Sequence, residues 1–159
     1  MKILVLFYSR SGATRTAAKI VARDIGADIE EIRDMTDRSG PLGYLRAGRD
    51  AAQRKMTDIE PLHSDCADYD LIILGTPVWA FTMACAVRTV IDRHKSTMEN
   101  VAFFCTMGGA GAPGTFLDME RLAGRKPIAT LALRTQELKD ATCAGKIKAF
   151  VESIRPSAV

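Results

Sequence analysis

KILVLFYSRSGATRT, residues 2–16, joins two kinds of sequence. The apolar run Ile3-Leu4-Val5-Leu6-Phe7-Tyr8 is rich in β-branched and aromatic residues and too short for a helix. It predicts a strand buried on both faces, as in a parallel sheet. The run stops at Ser9-Arg10-Ser11-Gly12-Ala13-Thr14, and a helical pattern follows from Arg15. A helix start offers unpaired N–H groups and a partial positive charge, which together suit an anion. Ser9, Ser11 and Thr14 add hydroxyl donors, and Gly12 allows a close approach or a positive φ. The simpler reading is a cluster of N-cap residues. Three hydroxyls around one glycine exceed what a cap needs. The loop also lacks G-x-x-x-x-G-K-[ST] and its lysine, so a nucleoside triphosphate loop is excluded. A phosphate held without an obligatory cation suggests a cofactor monophosphate.

Working outward, residues 14–25 place Ala17, Ile20, Val21 and Ile25 on one stripe, and Gly26 stops the helix. Residues 27–32 form a half-exposed strand that belongs at a sheet edge. Leu71 to Leu74 and Val101 to Cys105 are two more buried strands, with helices over 84–93 and 115–122 after their loops. A strand over Ile128–Leu133 and a helix over Leu138–Ile154 close the chain. Five alternations of strand and helix mean an α/β sheet covered on both faces, and the expectation is one domain over residues 1–159. In such sheets ligands bind beyond the carboxyl ends of the strands. Loops 9–14, 76–81 and 106–114 all follow buried strands and therefore open on one edge.

Ser9-x-Ser11-Gly12-x-Thr14 after an N-terminal strand resembles the phosphate loop of the flavodoxin family, [ST]-x-[ST]-G-x-T. The resemblance implies a three-layer sandwich around a five-stranded parallel sheet of order 2-1-3-4-5, in the short-chain form, with FMN bound. It implies that Ser9, Arg10, Ser11, Gly12, Ala13 and Thr14 surround the phosphate. The second loop, Thr76-Pro77-Val78-Trp79-Ala80, resembles the family's ring-binding loop. Pro77 would stiffen its exit from the sheet and leave N–H groups free at Val78 and Trp79. Trp79, the only tryptophan, would stack on one flavin face. Thr106, Met107, Gly108 and Gly109 would line the pyrimidine or dimethylbenzene side of the ring. This third loop lacks the tyrosine usual in flavodoxin carriers and is glycine-rich, more like the quinone-reductase relatives. Gly109-x-Gly111-x-x-Gly114, with Glu137 downstream, also fits a separate dinucleotide loop, although Pro113 is awkward there and the first two loops would go unexplained.

The charge of +3 is too mild to argue for nucleic acid, and it differs from the acidic character expected of a flavodoxin carrier. The cations of segment 46–55, Arg46, Arg49, Arg54 and Lys55, read either as a solvated helix face or as a patch for an acidic partner or phosphorylated co-substrate. Cysteines 66, 85, 105 and 143 show no metal-ligand spacing, and scattered thiols suit a reducing cytoplasm. No secretory leader is expected at Met1-Lys2, and no apolar run approaches the about 20 residues of a membrane span. His63 and His94 read as surface or capping residues, and Cys105 as core.

The expectation is a cytoplasmic FMN-binding redox protein that transfers electrons through the flavin. The alternative is an NAD(P)H-dependent quinone or flavin reductase. The partners are accordingly a redox protein, or NAD(P)H plus a small acceptor. A flavin-free interaction domain on the same fold is a third class. No residue is identified as a catalytic acid or base. The three loops contain few acids, so two-electron reduction is expected to be easier than in an acidic carrier.

Overall fold

A computed structural model describes residues 1–155; residues 156–159, the end of the span expected as one domain, lie outside the described residues. Strand β1 (Ile3–Phe7) is buried along its whole length. It pairs in parallel with β2 (Asp28–Glu31) on one side and β3 (Leu71–Trp79) on the other. Beyond β3 lie β5 (Val101–Met107) and β6 (Thr130–Arg134), both parallel. A short β4 (Thr82–Met83) folds back antiparallel on β3. With that two-residue strand set aside, the path β2-β1-β3-β5-β6 is the 2-1-3-4-5 order expected from the resemblance.

Alternation along the central strands divides two cores. Leu4, Leu6, Ile72, Leu74 and Phe103 face helices α2 (Gly40–Ala52), α3 (Cys85–His94) and α4 (Ala112–Ala123). Ile3, Val5, Phe7, Ile73 and Phe104 face α1 (Ala13–Ile25) and α6 (Ala144–Ile154). Each such side chain contributes about 1.5–3 kcal/mol on leaving water, which is why continuous apolar strands suit a sheet with helices on both faces. No helix among the described residues is long and apolar enough to cross a membrane.

Several boundaries differ from expectation. Strand β3 continues through Thr76 and Pro77, which pair with Cys105 and Thr106. By Pro77 the neighbouring β1 has ended, so β3 is an edge there and tolerates a residue without N–H. Helix α4 begins at Ala112 because Gly111, at φ 111°, starts it. The expected helix over Leu138–Ile154 is broken into α5 (Thr135–Lys139) and α6, with Ala141 at φ 61° between them.

Candidate functional site

The three loops do meet at one edge. Tyr8 N–H donates to the Gly75 carbonyl at 3.2 Å, which fixes the first loop against β3. The Thr14 and Thr106 hydroxyls lie 2.7 Å apart, which fixes it against β5. A Cβ on Gly111 would stand 2.7 Å from Val78 Cγ1, so the second and third loops touch where only glycine fits.

The first loop is built for an anion. Gly12 sits at φ 108°, and its N–H donates to Ser9 Oγ at 3.1 Å. That leaves the Ser9 hydroxyl proton available as a donor. Thr16 N–H makes a bond to the Gly12 carbonyl, so the N–H groups of Ala13, Thr14 and Arg15 have no partner inside the helix. Ser11 is exposed, Gly12 and Ala13 are half-buried, and Thr14 is buried. A Cβ on Gly12 would meet nothing closer than Arg15 Nη1 at 3.9 Å, which leaves open space above the loop. Neutral hydroxyls and helix N–H groups around open space fit a phosphate monoester. Arg10 is placed otherwise. Its Nε and Nη2 donate to the Arg38 and Gly40 carbonyls at 2.8 and 3.0 Å, and its guanidinium covers Tyr44. It clamps the segment after β2 onto the loop.

The second loop corrects the sequence reading most. Val78 pairs with Met83 and Trp79 with Thr82, so this stretch folds back as a β-hairpin and is not a stiff exit from the sheet. Ala80 and Phe81 form its two-residue turn at φ 50° and 63°. Right-handed strand twist favours positive φ at both turn positions, and the geometry is costly for residues with a Cβ. Thr76 is fully buried; its hydroxyl donates to the Pro77 carbonyl and accepts from Ala84 N–H. Trp79 is turned inward, 9% exposed, edge-on to Tyr8 at 5.3 Å and covered by the Arg38 guanidinium at 5.6 Å. The expected stacking of Trp79 on a ligand ring is therefore not the arrangement found. The aromatic that the loop presents is Phe81, 71% exposed and beside Gly111. Nothing in the sequence marked it, because Ala-Phe is not a usual turn pair.

Beneath Trp79 lies a buried ion cluster that the sequence also did not signal. Arg38 Nε contacts Asp34 at 2.7 Å, and Nη1 contacts Asp50 at 3.0 Å. Burial alone would lower the Arg38 pKa, but its hydrogen bonds to Asp34 and Asp50 raise it above the ordinary value. Burial, then the Asp34 charge, pushes the Tyr8 phenol up to about 12, so it stays protonated. A second cluster braces the hairpin. Asp118 accepts from Thr82 Oγ1 and from Arg88 Nη2, the latter at 2.6 Å. Burial would raise the Asp118 carboxyl, but these bonds hold it below the ordinary carboxylate range.

In the third loop Thr106 is buried, Met107 half-buried, and Gly108 and Gly109 exposed with nothing within 4 Å of a built Cβ. That backbone borders open space at the end of β5. Glu137 does not serve a separate dinucleotide loop: it accepts from Arg134 N–H and Lys146 Nζ. Burial pushes the Cys105 thiol up to about 12, which makes it an inert core residue. Of segment 46–55, Arg49 and Lys55 face Asp50, and Arg54 faces Asp118 at 3.6 Å, but these carboxylates also serve Arg38 and Arg88, so the segment stays net positive.

Residues 1–136 match the family described as NADPH-dependent FMN reductase. Among solved structures, the chain is similar to a flavoprotein in complex with FMN from Lactobacillus acidophilus NCFM. They share 26% identity and a TM-score of 0.73 over 89% of this chain and 98% of that one. A putative flavoprotein from Bacteroides eggerthii DSM 20697 shares 19% identity and a TM-score of 0.75, over 91% and 97% of the two chains. A flavodoxin from the domain Archaea shares 17% identity and a TM-score of 0.54, over 93% and 99%. The last two likenesses concern the fold alone.

Proposed function

The chain belongs to the NADPH-dependent FMN reductase family, and we propose that it holds FMN across the three-loop edge and accepts reducing equivalents there from NADPH. The observation that carries this reading is the anion-ready first turn of α1, with Gly12 at φ 108° and open space above it. FMN, when bound, supplies the two-electron redox chemistry. Ser9, Ser11, Gly12, Ala13 and Thr14 hold its phosphate through hydroxyl and N–H donors. The backbone of Met107, Gly108 and Gly109 lies along one edge of the ring. Phe81 takes the covering role on the hairpin side, while Thr76 and Trp79 support the hairpin from below. Pro77, Val78 and Ala80 shape its approach, and Arg10 fixes the loop wall.

Residues 8–14, 75–83 and 106–112 contain no Asp or Glu. Positive helix-end charge without opposing carboxylates favours a reduced, anionic ring. Open backbone at Gly108 and Gly109 leaves room for a nucleotide or small acceptor to approach. The whole chain acts as one domain in this reading, in a reducing cytoplasm.

The test is absorbance of the purified protein, with FMN added if it emerges colourless, followed by NADPH without oxygen. Bound yellow flavin that bleaches promptly is the expected result. Bound flavin that ignores NADPH and NADH would favour an electron carrier reduced by another protein. Failure to bind FMN would remove the reading.

A further inference from the structure

A cleft of about 470 Å³ runs from the phosphate loop to the end of β2 and the segment after it. Ser9, Arg10, Arg15, Glu31 and Arg33 are among the residues that line it. Glu31 holds both flanking arginines: Arg15 Nη2 lies 2.5 Å from Oε1, and Arg33 Nη2 lies 3.5 Å from Oε2. Each guanidinium carries five donors in a rigid fork, and these contacts use one nitrogen of each. Their side chains are 40% and 63% exposed, so donors remain for a ligand. The other carboxylates at the rim are engaged. Asp34 binds Arg38, Thr36 N–H and Thr57 Oγ1, and Asp37 accepts from Ser39 N–H and Oγ.

Two arginines around one carboxylate offer more than a bare inorganic anion uses, since Glu31 can also accept from a hydroxyl. They suit a phosphorylated sugar, whose phosphate takes the guanidinium forks while a hydroxyl donates to the carboxylate. The position also suits a long ligand. Strands lie about 4.8 Å apart, so β2 stands roughly 14 Å from the open backbone at the end of β5. An extended dinucleotide can bridge such a distance.

We propose that this cleft seats the 2′-phosphorylated adenosine end of NADPH, with Arg33 and Arg15 on the 2′-phosphate and Glu31 on a ribose hydroxyl. The proposal rests on the reductase reading above. It assigns nucleotide choice to residues beside the flavin site.

The probe is 2′,5′-ADP, titrated by calorimetry into FMN-loaded protein and its Arg33→Ala variant, with flavin absorbance followed in parallel. Arg33 is exposed at the end of β2, and its removal leaves the core untouched. Binding without loss of flavin, about tenfold weaker in the variant, is expected from the loss of a charge-assisted contact. In turnover, the variant's KM for NADPH rises by a similar factor while its KM for NADH stays unchanged. Equal binding to both proteins, or displacement of FMN by 2′,5′-ADP, overturns the cleft assignment. Failure of NADPH to bleach the flavin instead removes the reductase reading, so the two fail separately.

Discussion

The Thr14 and Thr106 hydroxyls meet at 2.7 Å, buried, across 92 residues of chain. This contact joins the first turn of α1 to the end of β5, so it sets the first loop's position against the third. Thr14→Val strands the Thr106 hydroxyl away from water. The expected cost is about 1–3 kcal/mol in urea unfolding, with weaker FMN binding. Because two matched apolar groups leave no polar orphan, the double variant Thr14→Val/Thr106→Val recovers part of that stability. Simple additivity of the two single losses would show that the hydroxyls are not coupled.

Trp79 and Phe81 end in opposite surroundings because Trp79 closes the strand, paired with Thr82, whereas Phe81 lies in the turn at φ 63°. Trp79 is packed on Tyr8 and Arg38, whereas Phe81 is exposed. Phe81→Ala is expected to weaken FMN binding by about three- to tenfold, the scale of one aromatic contact, with little change in stability. Trp79→Phe is expected to do the reverse, lowering stability by about 1–3 kcal/mol while FMN affinity stays within about twofold. Flavin fluorescence titration of both variants decides between the two assignments.

The Ala80–Phe81 turn carries positive φ on two residues with a Cβ. Glycine at position 80 would remove a penalty of about 1–2 kcal/mol. Greater freedom of the unfolded chain offsets part of this, by about 0.4–1 kcal/mol. Ala80→Gly should therefore raise the melting temperature slightly. A fall would mean that the native turn is relaxed as it stands.

Arg38 shares its buried charge between Asp34 and Asp50. Arg38→Ala leaves Asp34 without its cation and Asp50 with only the exposed Arg49 and Lys55, and it opens space beside Trp79. A loss of about 3–5 kcal/mol is expected. The sole tryptophan reports it directly, through a red shift in emission as water reaches the ring. An unshifted spectrum would show that Trp79 does not depend on Arg38.

The sheet order and the meeting of three loops were legible because buried strands write continuous apolar runs and the alternation allows few topologies. The anion loop was legible for the same local reason: its strand, glycine and helix are contiguous. The hairpin was not. Its turn is Ala80-Phe81 rather than Asn-Gly, so no local chemistry announced it, and the extended β5 that supports it lies far along the chain. Arg38, Asp34 and Asp50 were equally silent, since a buried ion cluster looks like ordinary surface charge until the chain folds. The break near Ala141 escaped because no glycine or proline stands between Leu138 and Ala144 to mark it.

Glu137 links that break to the rest of the fold and gives a pH signature. Hydrogen bonds from Lys146 and from the Arg134 N–H hold its carboxyl at about 2, below the ordinary 4.5. A carboxyl lowered in the folded state binds protons more readily once unfolded. Its contribution to stability is therefore complete above pH 4.5 and is lost as pH falls toward about 2. Glu137→Gln cannot accept these bonds as an anion at any pH. Melting curves should show the variant less stable near neutrality, with the gap closing across that acid window. A gap that stayed constant down to acid pH would show that packing, not the charge on Glu137, secures α6 to the end of β6.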